Sequence, residues 1–144
     1  MGYRSDVRIR LTKKDYERLV KEFNEKIKDS QDGYGYDMFG KDLDVYKEVK
    51  NVACWKVTDD GEDVEETHDC VFFGWNCVKW YDGYKDVDFV MNFIDECDHY
   101  AFCRIGESLD GDIELHDKNM EMIGFYYAFD DEDDSGQKSF AVLR

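Results

Sequence analysis

Acidic residues crowd into one part of this chain, and any fold it adopts has to hold together against their repulsion. Residues 1–57 carry 13 Lys/Arg against 11 Asp/Glu, whereas residues 58–144 carry 6 against 24, out of totals of 19 and 35. The second part is a polyanion with a net charge of −18, which loosens a compact state unless apolar burial outweighs it. Apolar material is plentiful: 42 % of the 144 residues are hydrophobic, with 10 Phe, 10 Tyr and 3 Trp. Length and composition fit one globular domain, 1–144, and disfavour disorder for most of it.

No apolar stretch approaches the roughly 20 residues of a membrane span, and Met1–Asp6 lack the apolar run of a signal peptide. The expectation is a soluble, intracellular protein that does not engage membranes. Its five cysteines, Cys54, Cys70, Cys77, Cys97 and Cys103, form an odd set without an export signal, so reduced thiols are expected. Cys54, Cys77 and Cys103 lie in apolar strand-like runs, where a free Cys acts as a small hydrophobe. There is no proline, so Gly, Asn and Asp must shape the turns.

Val7, Ile9 and Leu11 alternate with Arg8 and Arg10, the period-2 signature of a half-buried strand. Thr12 and Asp15 then fit a helix cap, followed by an apolar stripe at Tyr16, Leu19, Val20, Phe23 and Ile27 that predicts a helix over about 13–28. Residues 29–40 read as a loop, 41–50 as a short helix through Leu43, Tyr46 and Val49, and 52–57 as a strand. Seven acids within Thr58–Asp69 suggest a solvated hairpin loop or excursion. Val71–Tyr81 reads as a buried aromatic strand. Asp86 is positioned to cap a second helix over about 85–97, with Val87, Val90, Met91 and Ile94 at helical spacing. A hairpin is expected at 100–105 and 112–116, and further strands at 124–129 and 139–143. Two helices among five to seven strands joined mostly by hairpin-length turns predict an α+β fold, an antiparallel sheet packed with two helices.

Two acidic segments stand out as candidate binding elements: Asp59, Asp60, Glu62, Asp63, Glu65 and Glu66, and the run Asp130, Asp131, Glu132, Asp133 and Asp134. Carboxylates held on a folded surface could imitate the charge ladder of a nucleic-acid backbone, about one charge per 1.7 Å of duplex axis, and fill the cationic groove of a protein that binds it. The plain alternative is that they are solvated loops. Metal ligation is less well supported. Asp110, Asp112 and Glu114 alternate but lack EF-hand order, and His68, Cys70, Cys97, His99 and Cys103 match no standard zinc spacing. Nucleophile elbows, phosphate loops and H-E-x-x-H are missing, which argues against an enzyme. The shortage of cations after residue 57 argues against direct nucleic-acid binding.

Three stretches carry a resemblance: Met-Gly-Tyr-Arg-Ser-Asp-Val at 1–7, Val-Lys-Trp-Tyr-Asp-Gly-Tyr-Lys-Asp-Val at 78–87, and Arg-Ile-Gly-Glu with Asp-Gly-Asp-Ile-Glu at 104–107 and 110–114. Together they resemble a group of small acidic proteins encoded by bacteriophages and prophages, to which no common activity is attached. The resemblance implies a phage origin and residence in the cytoplasm of a bacterial host. With the acidic surface, it leads to an expected function: a non-enzymatic, cofactor-free and metal-free inhibitor of a host defence nuclease, of the anti-CRISPR type, acting as an acidic nucleic-acid mimic. The partner would be a CRISPR effector or another host nucleic-acid-binding protein. A different class of function is a nucleotide second-messenger sponge, with Trp75, Trp80, Tyr81, Tyr84 and Arg104 stacking on and clamping the ligand. A third is a structural or dimerising protein. On the structural reading of the same motif, Arg104 pairs with a carboxylate such as Asp82 or Asp86.

Overall fold

A computed structural model describes residues 3–28, 37–107 and 112–121. In chain order it contains β1 (Ser5–Thr12), α1 (Lys13–Phe23) continued by one wide π-helical turn (Asn24–Lys28), β2 (Val45–Val57), β3 (Asp63–Val78), α2 (Lys85–Glu96), β4 (Tyr100–Gly106) and β5 (Ile113–Lys118). The strands form one sheet in the order β2-β3-β1-β4-β5, and every pairing is antiparallel. The fold is therefore α+β, as the element pattern predicts. The strands expected at 124–129 and 139–143 lie outside the described residues, as do the loop from 29 to 36, Asp110 and the run Asp130–Asp134.

β1 lies at the centre because it alternates and because both of its neighbours are reached by antiparallel pairing. Val7, Ile9 and Leu11 are fully buried under the helices, packed with Leu19, Phe23, Val90 and Ile94. Thr12 Oγ1 accepts the Asp15 amide at 3.2 Å, so α1 starts with the expected cap. Asp15 in its first turn and Lys21 in its last match the helix dipole. α2 starts differently: Tyr84 is the cap residue and makes no side-chain capping bond. Asp86 lies inside the first turn, buried, and its Oδ1 accepts the Val87 amide at 2.8 Å. No described helix is long and apolar enough to cross a membrane.

The opposite face of β1 departs from expectation. Arg8 and Arg10 were positioned by alternation for solvent, yet they are 4 % and 0 % exposed. The sheet curls far enough for the chain just beyond β5 to meet β2, where Cys54 bridges Met120, the Trp55 amide donates to Asn119 O at 2.9 Å and the Glu121 amide to Ala53 O at 3.0 Å. The concave face is thus closed over a second core of Val52, Cys54, Cys70, Phe72, Ala101, Cys103 and Met120. Arg10 crosses it and donates to Met120 Sδ at 3.5 Å and to the Glu121 carbonyl. Arg8 donates to Trp75 O at 3.2 Å and Asn76 Oδ1 at 2.6 Å.

Two further expectations are corrected. Residues 41–50 do not form a helix; from Val45 onward they are β2. Leu43 precedes the strand, and Tyr46 opposite Phe73 and Val49 opposite Cys70 point to opposite faces of the sheet, so the helical interval joins no common face; a β-bulge follows between Val49 and Val52. Asn51 sits there at φ 58°. The acidic segment 58–69 is likewise mostly strand. Only Thr58–Glu62 is a turn, closed by the Thr58 amide on Glu62 O at 2.8 Å and by Gly61 at φ 82°.

Gly74 faces Arg8 across the β1–β3 ladder, and a Cβ there would come within 1.9 Å of Val7 O. That atom is backbone, so the contact cannot be relieved by a rotamer. Gly74→Ala should destabilise the protein by at least ~2 kcal/mol, read as a lowered urea midpoint at unchanged slope.

Candidate functional site

The β2–β3 hairpin is longer than the sheet that carries it. β1 pairs with β3 only from Cys70 to Val78, while β2 pairs with β3 down to Val57↔Asp63. Residues 52–69 therefore extend past β1 as a two-stranded arm, braced on the β2 edge by Asn119–Glu121. Asp59, Asp60 and Glu62 occupy its turn and Asp63 and Glu65 its returning strand, all exposed. Val57 and Val64 are exposed beside them. The arm is thus an acidic tip with two apolar side chains among the carboxylates.

Glu66, the sixth acid of this segment, points elsewhere. Glu66 and His68 are two residues apart on β3 and share the concave face with Cys70 and Phe72. There they meet His99, which lies between α2 and β4. His68 Nε2 is 2.7 Å and His99 Nε2 3.4 Å from the same Glu66 Oε1, and the two imidazole rings are 5.1 Å apart at 38°. The bond from His68 holds the Glu66 carboxyl below its ordinary range. Asn119 fixes the third member: its carbonyl faces His99 Nδ1 at 2.9 Å, and its Nδ2 donates to Asp98 O at 3.2 Å. The group lines an open cleft of about 680 Å³ together with Thr12, Asp15, Trp55 and Asp69.

The His/Cys set His68, Cys70, Cys97, His99 and Cys103 fits no zinc spacing in the sequence, and the structure separates its cysteines from the histidines. Cys70 and Cys103 lie in the concave core and Cys97 under the helices. Burial pushes the thiols of Cys70, Cys97 and Cys103 up to about 12 and that of Cys54 to about 11, so they remain neutral. All five cysteines are free, and Cys77 alone is exposed. The association of His99 with Glu66 depends on the curl of the sheet, which local spacing does not encode.

The aromatic–arginine set is split between two cavities. Trp75 is fully buried, donates from Nε1 to Met38 O at 2.8 Å and stacks on Trp80 at 5.4 Å. Trp75, Trp80 and Tyr84 border a cavity of about 340 Å³, whereas Trp80, Tyr81 and Arg104 border another of about 400 Å³. Tyr81 and Tyr84 pack against each other at 5.2 Å. Arg104 does not pair with Asp82 or Asp86. It donates to Glu114 Oε1 at 2.6 Å, Asp112 Oδ1 at 2.7 Å and Ser5 Oγ at 2.8 Å, and Tyr3 also donates to Asp112. With two carboxylates on one guanidinium the cavity wall is net negative, which suits a nucleotide phosphate poorly.

These pairs make a pH prediction. Arg104 lowers the Asp112 carboxyl below its ordinary 3.8; burial raises that of Glu114, but hydrogen bonds from Arg104 and His116 outweigh it and leave it below 4.5. A depressed folded-state value stabilises the protein above the unfolded value, and that stabilisation is lost as pH falls through the folded one. Arg104→Gln should therefore cost stability at neutral pH and progressively less below about pH 4. Urea midpoints of both proteins across that range give the difference, free of the general relief of acidic repulsion common to both. Comparison with protein-family models, with curated proteins and with solved structures yields no match, so what these surfaces do has to be inferred from their own chemistry.

Proposed function

We propose that this protein is a non-enzymatic inhibitor that inserts its acidic arm into a cationic groove of a nucleic-acid-binding partner, a defence nuclease of the CRISPR-effector kind in a bacterial host. The observation that carries this reading is the arm itself: five exposed carboxylates on a hairpin that extends beyond the sheet. Alternate residues of a strand are about 6.8 Å apart, against a rise of ~3.4 Å per phosphate on one DNA strand. The strand of the arm alone therefore supplies about half the linear charge of one nucleic-acid strand. The three acids of the turn raise the density at the tip, and exposed Val57 and Val64 add apolar contact that a phosphate backbone lacks. The resemblance to small acidic phage proteins supports the same reading.

The binding should be electrostatically steered, with association slowing as salt shortens the Debye length below its ~10 Å at 0.1 M. The test uses purified CRISPR effectors and other defence nucleases, with displacement of a labelled nucleic acid as the readout. Replacing Asp59, Asp60, Glu62, Asp63 and Glu65 by their amides should weaken displacement at least tenfold, while each exposed change moves stability by under about 0.5 kcal/mol. A second variant with Asp130, Asp131, Glu132, Asp133 and Asp134 neutralised measures the contribution of that run. Displacement at wild-type affinity by both variants would rule the mimicry out.

A further inference from the structure

We propose that Glu66, His68 and His99 form a binding site for a divalent transition-metal ion of the zinc type, which ties the base of the acidic arm to the α2–β4 connection. One ligand atom from each residue lies within 4.8 Å of the others. Tetrahedral zinc, with metal–ligand bonds of about 2.0–2.2 Å, separates its ligands by roughly 3.3 Å. The His99–Glu66 separation of 3.4 Å already fits, and the His68–Glu66 separation of 2.7 Å needs to open by only ~0.6 Å.

The orientation of His99 gives the independent argument. The Asn119 carbonyl can only accept, so at 2.9 Å it takes a hydrogen bond from Nδ1–H of His99 and turns Nε2 toward Glu66. Nε2 lies 3.4 Å from the carboxylate oxygen of Glu66, so both atoms converge on a position that one shared cation can occupy. An imidazole whose far nitrogen donates to a backbone carbonyl is the usual outer-shell arrangement of a metal-ligating histidine. Asn119 is held in the left-handed region at φ 52°, and its side chain also grips Asp98 O, so the orientation of His99 is built into the backbone. His99 is 12 % exposed and Glu66 and His68 each 36 %, which leaves the remaining coordination positions open to the 680 Å³ cleft for water. Two imidazoles and one carboxylate suit zinc and its first-row neighbours and not magnesium, which takes oxygen ligands.

The experiment uses the full chain without a histidine tag and needs no partner, so its failure would leave the inhibitor reading untouched. Calorimetric titration with Zn²⁺ should saturate at one ion per chain, and Mg²⁺ should give no saturable heat. His99→Ala and Glu66→Gln should each weaken zinc binding more than about tenfold, with circular dichroism checking that they fold. Co²⁺ added to the wild-type protein should give visible d–d bands without the near-ultraviolet charge-transfer band of a thiolate ligand. Absence of saturable zinc binding, equal affinity in the His68→Ala/His99→Ala double variant, or a thiolate band would overturn the assignment.

Discussion

A guanidinium buried without acceptors costs several kcal/mol, and Arg10 is fully buried at the centre of the sheet. Desolvation lowers its pKa below 12.5, yet an arginine remains charged in a protein interior. Its acceptors include Met120 Sδ and the carbonyl of Glu121, so the chain after β5 has to return across the concave face. That return closes the second core, sets Asn119–Glu121 along the edge of β2, and brings Asn119 to His99. The arm and the histidine cleft both depend on where this segment lies.

The legible parts of the fold were those governed by local periodicity. The N-terminal cap and stripe of α1, the apolar face of α2 and the β4–β5 hairpin all follow from spacing, because each buries one face against one layer. The misread elements share a different origin. Arg8 and Arg10 look like solvent-facing residues until the sheet curls over them. Leu43, Tyr46 and Val49 fall at helical intervals, yet pairing with β3 makes their segment a strand, and the acids at 63–69 sit in a strand because β2 offers a backbone ladder. In each case a long-range contact outweighs the local preference.

The candidate sites divide along the same line. The acidity of the arm is visible in composition, but its projection follows from the mismatch in length between the β2–β3 and β1–β3 pairings. Five of the six acids named from this segment stay on the exposed arm, while Glu66 turns to the two histidines. Arg104 reads as a pairing residue in the sequence, and its partners are Glu114, directly opposite it on β5, and Asp112, the residue before β5.

The arm also has an open side. Past Cys70, β3 has lost its β1 neighbour, and among the described residues no other strand pairs with that edge, so its backbone donors and acceptors face the usual hazard of unpaired β-structure. Two copies meeting edge to edge would bring their carboxylates together at strand spacing, and the repulsion would oppose the added ladder. A segment rich in Lys or Arg meets no such barrier. The carboxylates that would oppose such self-pairing therefore act as a filter on sign at this edge, favouring a strand that brings positive charge.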